Sequence, residues 1–179
     1  MRRGGGMIYD RIGPDFPLTH WMLYFKFLMR IFCKKKFLYF DTSSEFRPGS
    51  YAITCSKISI GKNVTIRPGT MLFADPRVGS DGCIIIENDA MIGSGVHIYV
   101  ANHRYTIKGL NIINQGHCNA KSVVLKEGCW VGANSTILPG VEVGARSVVG
   151  AGSVVTKNFG PEVTIAGNPA RIINHSPER

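Results

Sequence analysis

The sequence predicts an all-β fold, a parallel β-helix of hexapeptide repeats, and two columns of residues carry that prediction. Aliphatic side chains return every sixth position in three phased blocks: Ile60, Ile66 and Leu72; Ile86, Ile92 and Ile98; and Leu125, Val131, Ile137, Val143, Val149 and Val155. The fourth residue after each is mostly small or β-branched: Val64, Thr70, Ala90, Val96, Ser135, Val141, Ser147, Ser153. The residue directly after is often glycine, as at Gly61, Gly93, Gly132, Gly144 and Gly150. Helices repeat at 3.6 residues and strands at 2, so neither explains six. A coil of three short flat sides does. Each hexapeptide supplies one side and points its aliphatic residue into the shaft, while Gly or Asn sits at a corner where φ can turn positive. Successive turns then stack as parallel sheet around a continuous aliphatic core.

Upstream of the coil, residues 1–50 form a basic and aromatic segment expected to be largely helical. Trp21, Phe25, Leu28 and Phe32 follow helical spacing within residues 16–40, Met22, Phe27 and Met29 make the other faces apolar too, and Lys34, Lys35 and Lys36 close the stretch. Two roles fit: a cap over the open end of the β-helix, or an interfacial helix that beds its aromatics at a lipid boundary. The coil itself is expected over residues 51–179. It is interrupted at about residues 73–83 and again at 104–124, and a long excursion from a regular solenoid is more often functional than idle. After Phe159 the repeat fades into residues 165–173.

A chain of 179 residues suits one compact domain. Its 21 basic and 12 acidic residues leave a formal charge of +9, which favours an anionic partner such as a phosphorylated cofactor, an acidic glycan or a membrane surface. The five cysteines (Cys33, Cys55, Cys83, Cys118, Cys129) are odd in number and lack any CxxC pair, against a disulfide framework or a thiolate zinc site and in favour of a reducing compartment. Arg2 and Arg3 resemble the start of a signal peptide, yet glycines at residues 4–6 and the acidic Asp10 and Asp15 follow where an apolar run belongs. Lys26 and Arg30 break the apolar stretch of residues 16–32, which is too short and too charged to cross a bilayer. The expected setting is cytoplasmic, with possible peripheral contact at the inner face of the membrane through residues 16–40.

Three stretches carry a resemblance: Val100-Ala101-Asn102-His103-Arg104-Tyr105; Cys129-Trp130-Val131-Gly132-Ala133-Asn134 running on to Ile137-Leu138-Pro139-Gly140-Val141; and Ala151-Gly152-Ser153-Val154-Val155-Thr156-Lys157, followed by Ala166-Gly167-Asn168-Pro169-Ala170. With these in order, residues 58–173 resemble the hexapeptide-repeat acetyltransferases that modify sugars, including the galactoside, maltose and colanic-acid O-acetyltransferases. The resemblance implies a left-handed coil, acetyl-CoA as acetyl donor, and a saccharide acceptor, with a surface polysaccharide or lipopolysaccharide precursor favoured. It implies His103 as the general base that deprotonates the acceptor hydroxyl, with Asn102 beside it orienting the acceptor or donating to the oxyanion. Acetyl transfer from a thioester needs little beyond such a base and such donors, and an imidazole that ordinarily titrates near about pH 6.5 suits the first task.

The resemblance further implies that CoA lies in a groove between neighbouring subunits of a homotrimer. Ala133 and Ala151 match positions whose backbone touches the pantetheine arm; Thr156, Lys157 and Arg171 match positions near the nucleotide, where cations suit the phosphates. Asn174 stands where relatives often carry another basic residue. Trp130 either packs beside the thioester or belongs to the coil, and Lys157 and Arg171 can equally be solvated charges. His97 reads as structural, and His20, His117 and His175 as surface or loop residues. Two other classes share such a coil: γ-type carbonic anhydrases, for which His97, His103 and His117 would be the metal ligands, and non-catalytic scaffolds. The first lacks the expected histidine pair four residues apart, and the second leaves the Asn102-His103 and Thr156-Lys157 motifs without a purpose.

Overall fold

The computed structural model describes residues 10–13 and 20–175. The readings on residues 2–6, Asp15 and residues 16–19 fall outside the described residues. Three sheets form the sides of the coil. Sheet A stacks Arg11–Ile12, Tyr51–Ile53, Met71–Phe73, His97–Tyr99, Thr136–Ile137 and Val154–Val155. Sheet B stacks Tyr39–Phe40, Ile58–Ile60, Ile84–Ile86, Val123–Leu125 and Glu142–Val143. Sheet C stacks Glu45–Phe46, Thr65–Ile66, Met91–Ile92, Trp130–Val131, Val148–Val149, Val163–Gly167 and Ala170–His175. Pairing is parallel except at the two ends, where Arg11–Ile12 and Ala170–His175 run antiparallel to their neighbours. The coil is left-handed, against the hand of ordinary parallel crossovers.

The register explains the six-residue period. Leu72, Ile98, Ile137 and Val155 align one above another in sheet A, and all are fully buried. The fourth-place column is buried too, and its hydroxyls are satisfied by backbone carbonyls: Thr70 Oγ1 donates to Gly93 at 2.8 Å, Ser135 Oγ to Gly150 at 3.0 Å and Ser147 Oγ to Gly160 at 2.9 Å. Parallel strand pairing begins at Tyr39–Phe40, upstream of residue 51. Phe40, Phe46 and Ala52 extend the six-residue interval backwards, and Ser44 and Ser50 fill the fourth place. Aromatics replace aliphatics there because the shaft ends: Phe37 lies over it, 5.8 Å from Phe40 and 5.4 Å from Phe46 between ring centroids.

The corners differ from expectation. Where the coil is regular, positive φ falls on the third residue after the aliphatic, at Asn63, Asp89, Asn134 and Arg146 and at glycines such as Gly69 and Gly95, and not on the glycine that directly follows. That glycine answers a different demand. A Cβ on Gly93 would lie 2.7 Å from the Ala133 nitrogen of the next turn, so its absence lets turns stack in contact.

The N-terminal segment also departs from the predicted stripe. Trp21–Tyr24 form a 3-10 turn, Phe25 is extended, and a helix, α1, spans Lys26–Lys36. No Gly or Pro interrupts α1, and Lys34, Lys35 and Lys36 complement the carbonyl end of its dipole. The residues buried against the coil are Leu23, Met29, Cys33 and Phe37, with Phe32 packed partly against them. Trp21 and Phe25 are exposed, and Leu28 and Phe32 are half-buried. The break at Phe25 resets the helical phase, so the apolar spacing counted across it selects the wrong face.

Ile98→Ala should cost about 2–5 kcal/mol, because nothing in the shaft can collapse into the cavity left. Ile113→Ala, on a side chain 84% exposed, should stay within about 0.5 kcal/mol. Urea unfolding of both variants measures this; similar losses would contradict the assigned core.

Candidate active site

The long excursion leaves the coil after Val100, at the corner between sheets A and B, and rejoins it where the Lys121 N–H donates to the Val100 carbonyl at 2.8 Å. Its stem is a short antiparallel ladder. The Arg104 N–H donates to the Gly116 carbonyl and the Cys118 N–H to the Asn102 carbonyl, both at 2.9 Å, with His103 opposite His117. The two imidazoles lie with centroids 4.3 Å apart and planes tilted by 34°. His117, an exposed residue of the loop as expected, is also the neighbour of the predicted base. Thirteen positions separate the two in sequence, and no spacing rule links them. His103 and Asn102 are both exposed.

Two devices hold the loop. At its tip, buried Gln115 accepts from the Ile107 N–H at 3.0 Å and donates to the carbonyls of Ile107 at 3.1 Å and Leu110 at 2.7 Å. At its base, Arg77 Nη2 donates to the Cys118 carbonyl at 2.9 Å. Arg77 is itself fixed by Asp75, through Nε contacts of 3.0 Å to both carboxylate oxygens, and Ser80 donates to the same carboxylate. The shorter interruption of the coil therefore buttresses the longer one. Burial opposes ionisation of Asp75, but hydrogen bonds from Arg77 and Ser80 outweigh it and bring its carboxyl down to about 2. A cavity of about 270 Å³ opens between the two loops, lined by Phe73, Asp75, Arg77, Val100, Ala101 and His117.

The remaining predicted residues divide between two corners. Val155 is in register with Ile137 and Ile137 with Ile98, so Thr156 and Lys157 leave sheet A at the corner that carries His103, two turns further along. Both are exposed, with Lys157 Nζ 5.6 Å from the Phe159 ring. Ala133 and Ala151 occupy the corner between sheets C and A, joined by a hydrogen bond from the Gly152 N–H to the Ala133 carbonyl at 2.8 Å. Arg171 pairs with Ala166 at the top of that corner. Trp130 projects from the outer face of sheet C, 48% exposed, while its neighbour Val131 fills the shaft. It lines a groove of about 430 Å³ with Arg47, Arg67, Met91, Ser94 and Ala133.

One chain therefore brings His103, Asn102, Thr156 and Lys157 to one flank and Trp130, Ala133, Ala151 and Arg171 to the other. Sheet A separates them. Its outer face carries a ladder of Tyr51, Phe73 and Tyr99, with centroids 5.9 and 4.9 Å apart, and His97, whose Nδ1 is 3.3 Å from the Tyr99 hydroxyl. Among the described residues, no three His, Cys, Asp or Glu side chains converge as metal ligands would.

The bacterial transferase hexapeptide family, of six repeats, matches residues 122–157. The chain is 34% identical to a galactoside O-acetyltransferase of Lactococcus lactis over 63% of its own length and 53% of the relative's. It is 32% identical to the WcaF protein of Escherichia coli K12, named for an inferred acetyltransfer in colanic acid biosynthesis, over 66% of this chain and 70% of that one. Among solved structures, a galactoside acetyltransferase in complex with coenzyme A is similar at a TM-score of 0.73 and 25% identity, covering 90% of this chain and 81% of that one. The matches span about half the length of the two galactoside O-acetyltransferases, 53% and 58%.

The Asp75 contribution to stability has a defined pH dependence. A carboxyl whose folded pKa lies below its ordinary value of 3.8 stabilises the fold fully above that value and loses the contribution as pH falls towards about 2. The Tm difference between the wild type and Asp75→Asn should be largest above about pH 4 and shrink on acidification. A difference that does not vary with pH would mean that the charge of Asp75 is not what holds Arg77.

Proposed function

The chain belongs to the hexapeptide-repeat acetyltransferases, and on that premise we propose that it transfers an acetyl group from acetyl-CoA to a hydroxyl of a saccharide. The observation that carries this reading is His103, exposed on a hydrogen-bonded stem at a corner of the coil, on the same flank as Thr156 and Lys157 two turns further along. His103 takes the proton of the acceptor hydroxyl as that oxygen attacks the thioester carbonyl, and returns it to the departing sulfur when the C–S bond breaks. Asn102 supplies a side-chain amide for the charge gathering on the carbonyl oxygen. No covalent enzyme intermediate is needed.

The donor substrate fits the residues present. Ala133 and Ala151 are small and lie at an accessible corner, so an extended chain can approach the backbone closely, while Lys157 and Arg171 offer cations to phosphates. The acceptor class rests on the relatives, whose names include galactoside and colanic acid, and a surface polysaccharide or lipopolysaccharide precursor is the reading we adopt. Five free cysteines fit a reducing, cytoplasmic setting.

The division of residues between two flanks supports a homotrimer. With the aromatic outer face of sheet A turned toward a three-fold axis, the His103 and Lys157 flank of one subunit meets the Trp130, Ala133 and Ala151 flank of the next. Closed cyclic symmetry then yields three equivalent clefts.

His103→Ala should lower turnover by two to four orders of magnitude, roughly, with little change in Tm or in CoA affinity. Ala151→Trp should block the other half of the cleft. Co-expression of the two inactive variants in equal amounts should recover about a quarter of wild-type activity, since random assembly leaves one cleft in four with both halves intact. A stable, fully active monomer in light scattering would rule out shared sites, as would mixed trimers that recover nothing.

A further inference from the structure

The helix that caps the coil uses only one of its faces to do so. Met29 and Cys33, four residues apart, are buried against the first turn, whereas Phe27 and Ile31, also four apart, point the other way. Phe27 is 73% exposed and Ile31 41%. Two large apolar side chains set side by side on the outward face of one helix mark an interaction surface, unlike ones scattered singly.

The charge beside the patch says what covers it. Lys34 and Lys35 lie one turn beyond Ile31 on the outward side of α1, exposed and without an ion-pair partner among the described residues. Lys36 sits over the Phe32 ring at 5.8 Å, and Lys26 pairs with Glu45 at the other end of the helix. A second copy of this face would set like charges against one another, whereas an anionic surface would neutralise them. No helix among the described residues is long and apolar enough to cross a membrane, so contact would be peripheral. Aromatic side chains at the level of the headgroups with lysines directed at their phosphates is the arrangement of an interfacial helix.

We propose that the outward face of α1, with Phe27 and Ile31 as its apolar anchors and Lys34 and Lys35 as its cations, docks the protein on an anionic lipid bilayer. Met29, Cys33 and Phe37 hold the same helix to the coil, so the catalytic body and the lipid contact form one rigid piece.

The full-length protein should co-sediment with vesicles containing phosphatidylglycerol, much less with pure phosphatidylcholine, and less at high salt than at low. Lys34→Gln with Lys35→Gln should weaken that binding about 30-fold, at about fivefold per lysine, and remove most of its salt dependence. Phe27→Ser with Ile31→Ser should weaken it at least about tenfold on the same vesicles. Both pairs are on the solvent side of the helix and should leave Tm and acetyl-CoA turnover unchanged. Absence of binding by the full-length protein would overturn the proposal, as would undiminished binding by both variants. A change of oligomeric state in the Phe27 and Ile31 variant, with vesicle binding intact, would overturn it in favour of a contact between copies.

Discussion

Every turn of this coil must lie directly on the one below, and that single constraint accounts for most of the sequence that follows it. Parallel strands two or three residues long hold little by themselves. Their stability comes from the unbroken ladder of aliphatic side chains inside the shaft and from carbonyls handed upward from turn to turn. A small hydroxyl or valine must occupy the fourth place because the interior is narrow at the corner, and its hydroxyl must find a carbonyl because no water reaches it. Where glycine follows the aliphatic, as at Gly93, Gly132 and Gly144, the same contact requires it, since a side chain there would press into the backbone of the next turn.

A scaffold so tightly specified inside is free only at its corners and outer faces, and function is built there. Both interruptions arise between sheets A and B, where the chain can leave and return without breaking a strand pair. The loop that carries His103 is shaped by few local preferences. Gln115 folds its tip, and its base is held by Arg77 from 41 residues upstream in sequence. The buried carboxylate of Asp75 is what keeps that guanidinium in place. His103, the proposed base, is therefore exposed yet sits on a loop held in place by residues outside its own motif.

How much of this was legible in the sequence follows from which interactions are periodic. The coil was legible because a period of six has no competing explanation, and Phe40 and Phe46 escaped notice only because they are aromatic members of an aliphatic column. The exposed His103 was marked by its motif. The pairing with His117, and the Arg77 and Asp75 buttress, depend on contacts made across the gap between two loops, and neither spacing nor composition encodes them. The helix is shorter than composition suggested, covering only Lys26–Lys36 while strands already occupy Tyr39–Phe40 and Glu45–Phe46, and it buries Met29 and Cys33. A single extended residue, Phe25, was enough to shift the apparent stripe.

The separation of the predicted site into two flanks has a consequence for how the molecule works. Sheet A is only two or three residues wide between its corners, yet at about 3.3 Å per residue that still leaves the two groups of residues on different sides of the coil. Neither flank alone holds both a base and the groove of Trp130 and Ala133. If catalysis draws on both, assembly and activity are one event, and a newly made chain is inactive until its neighbours arrive. Under a three-fold axis parallel to the coils, the three capping helices also emerge at the same end. Their apolar anchors and lysines then face one plane together, and a weak contact at each becomes a stronger one through shared geometry without any new interaction. The same symmetry that completes the clefts would thereby fix their height above a lipid surface, which is the arrangement an acceptor tethered to that surface would require.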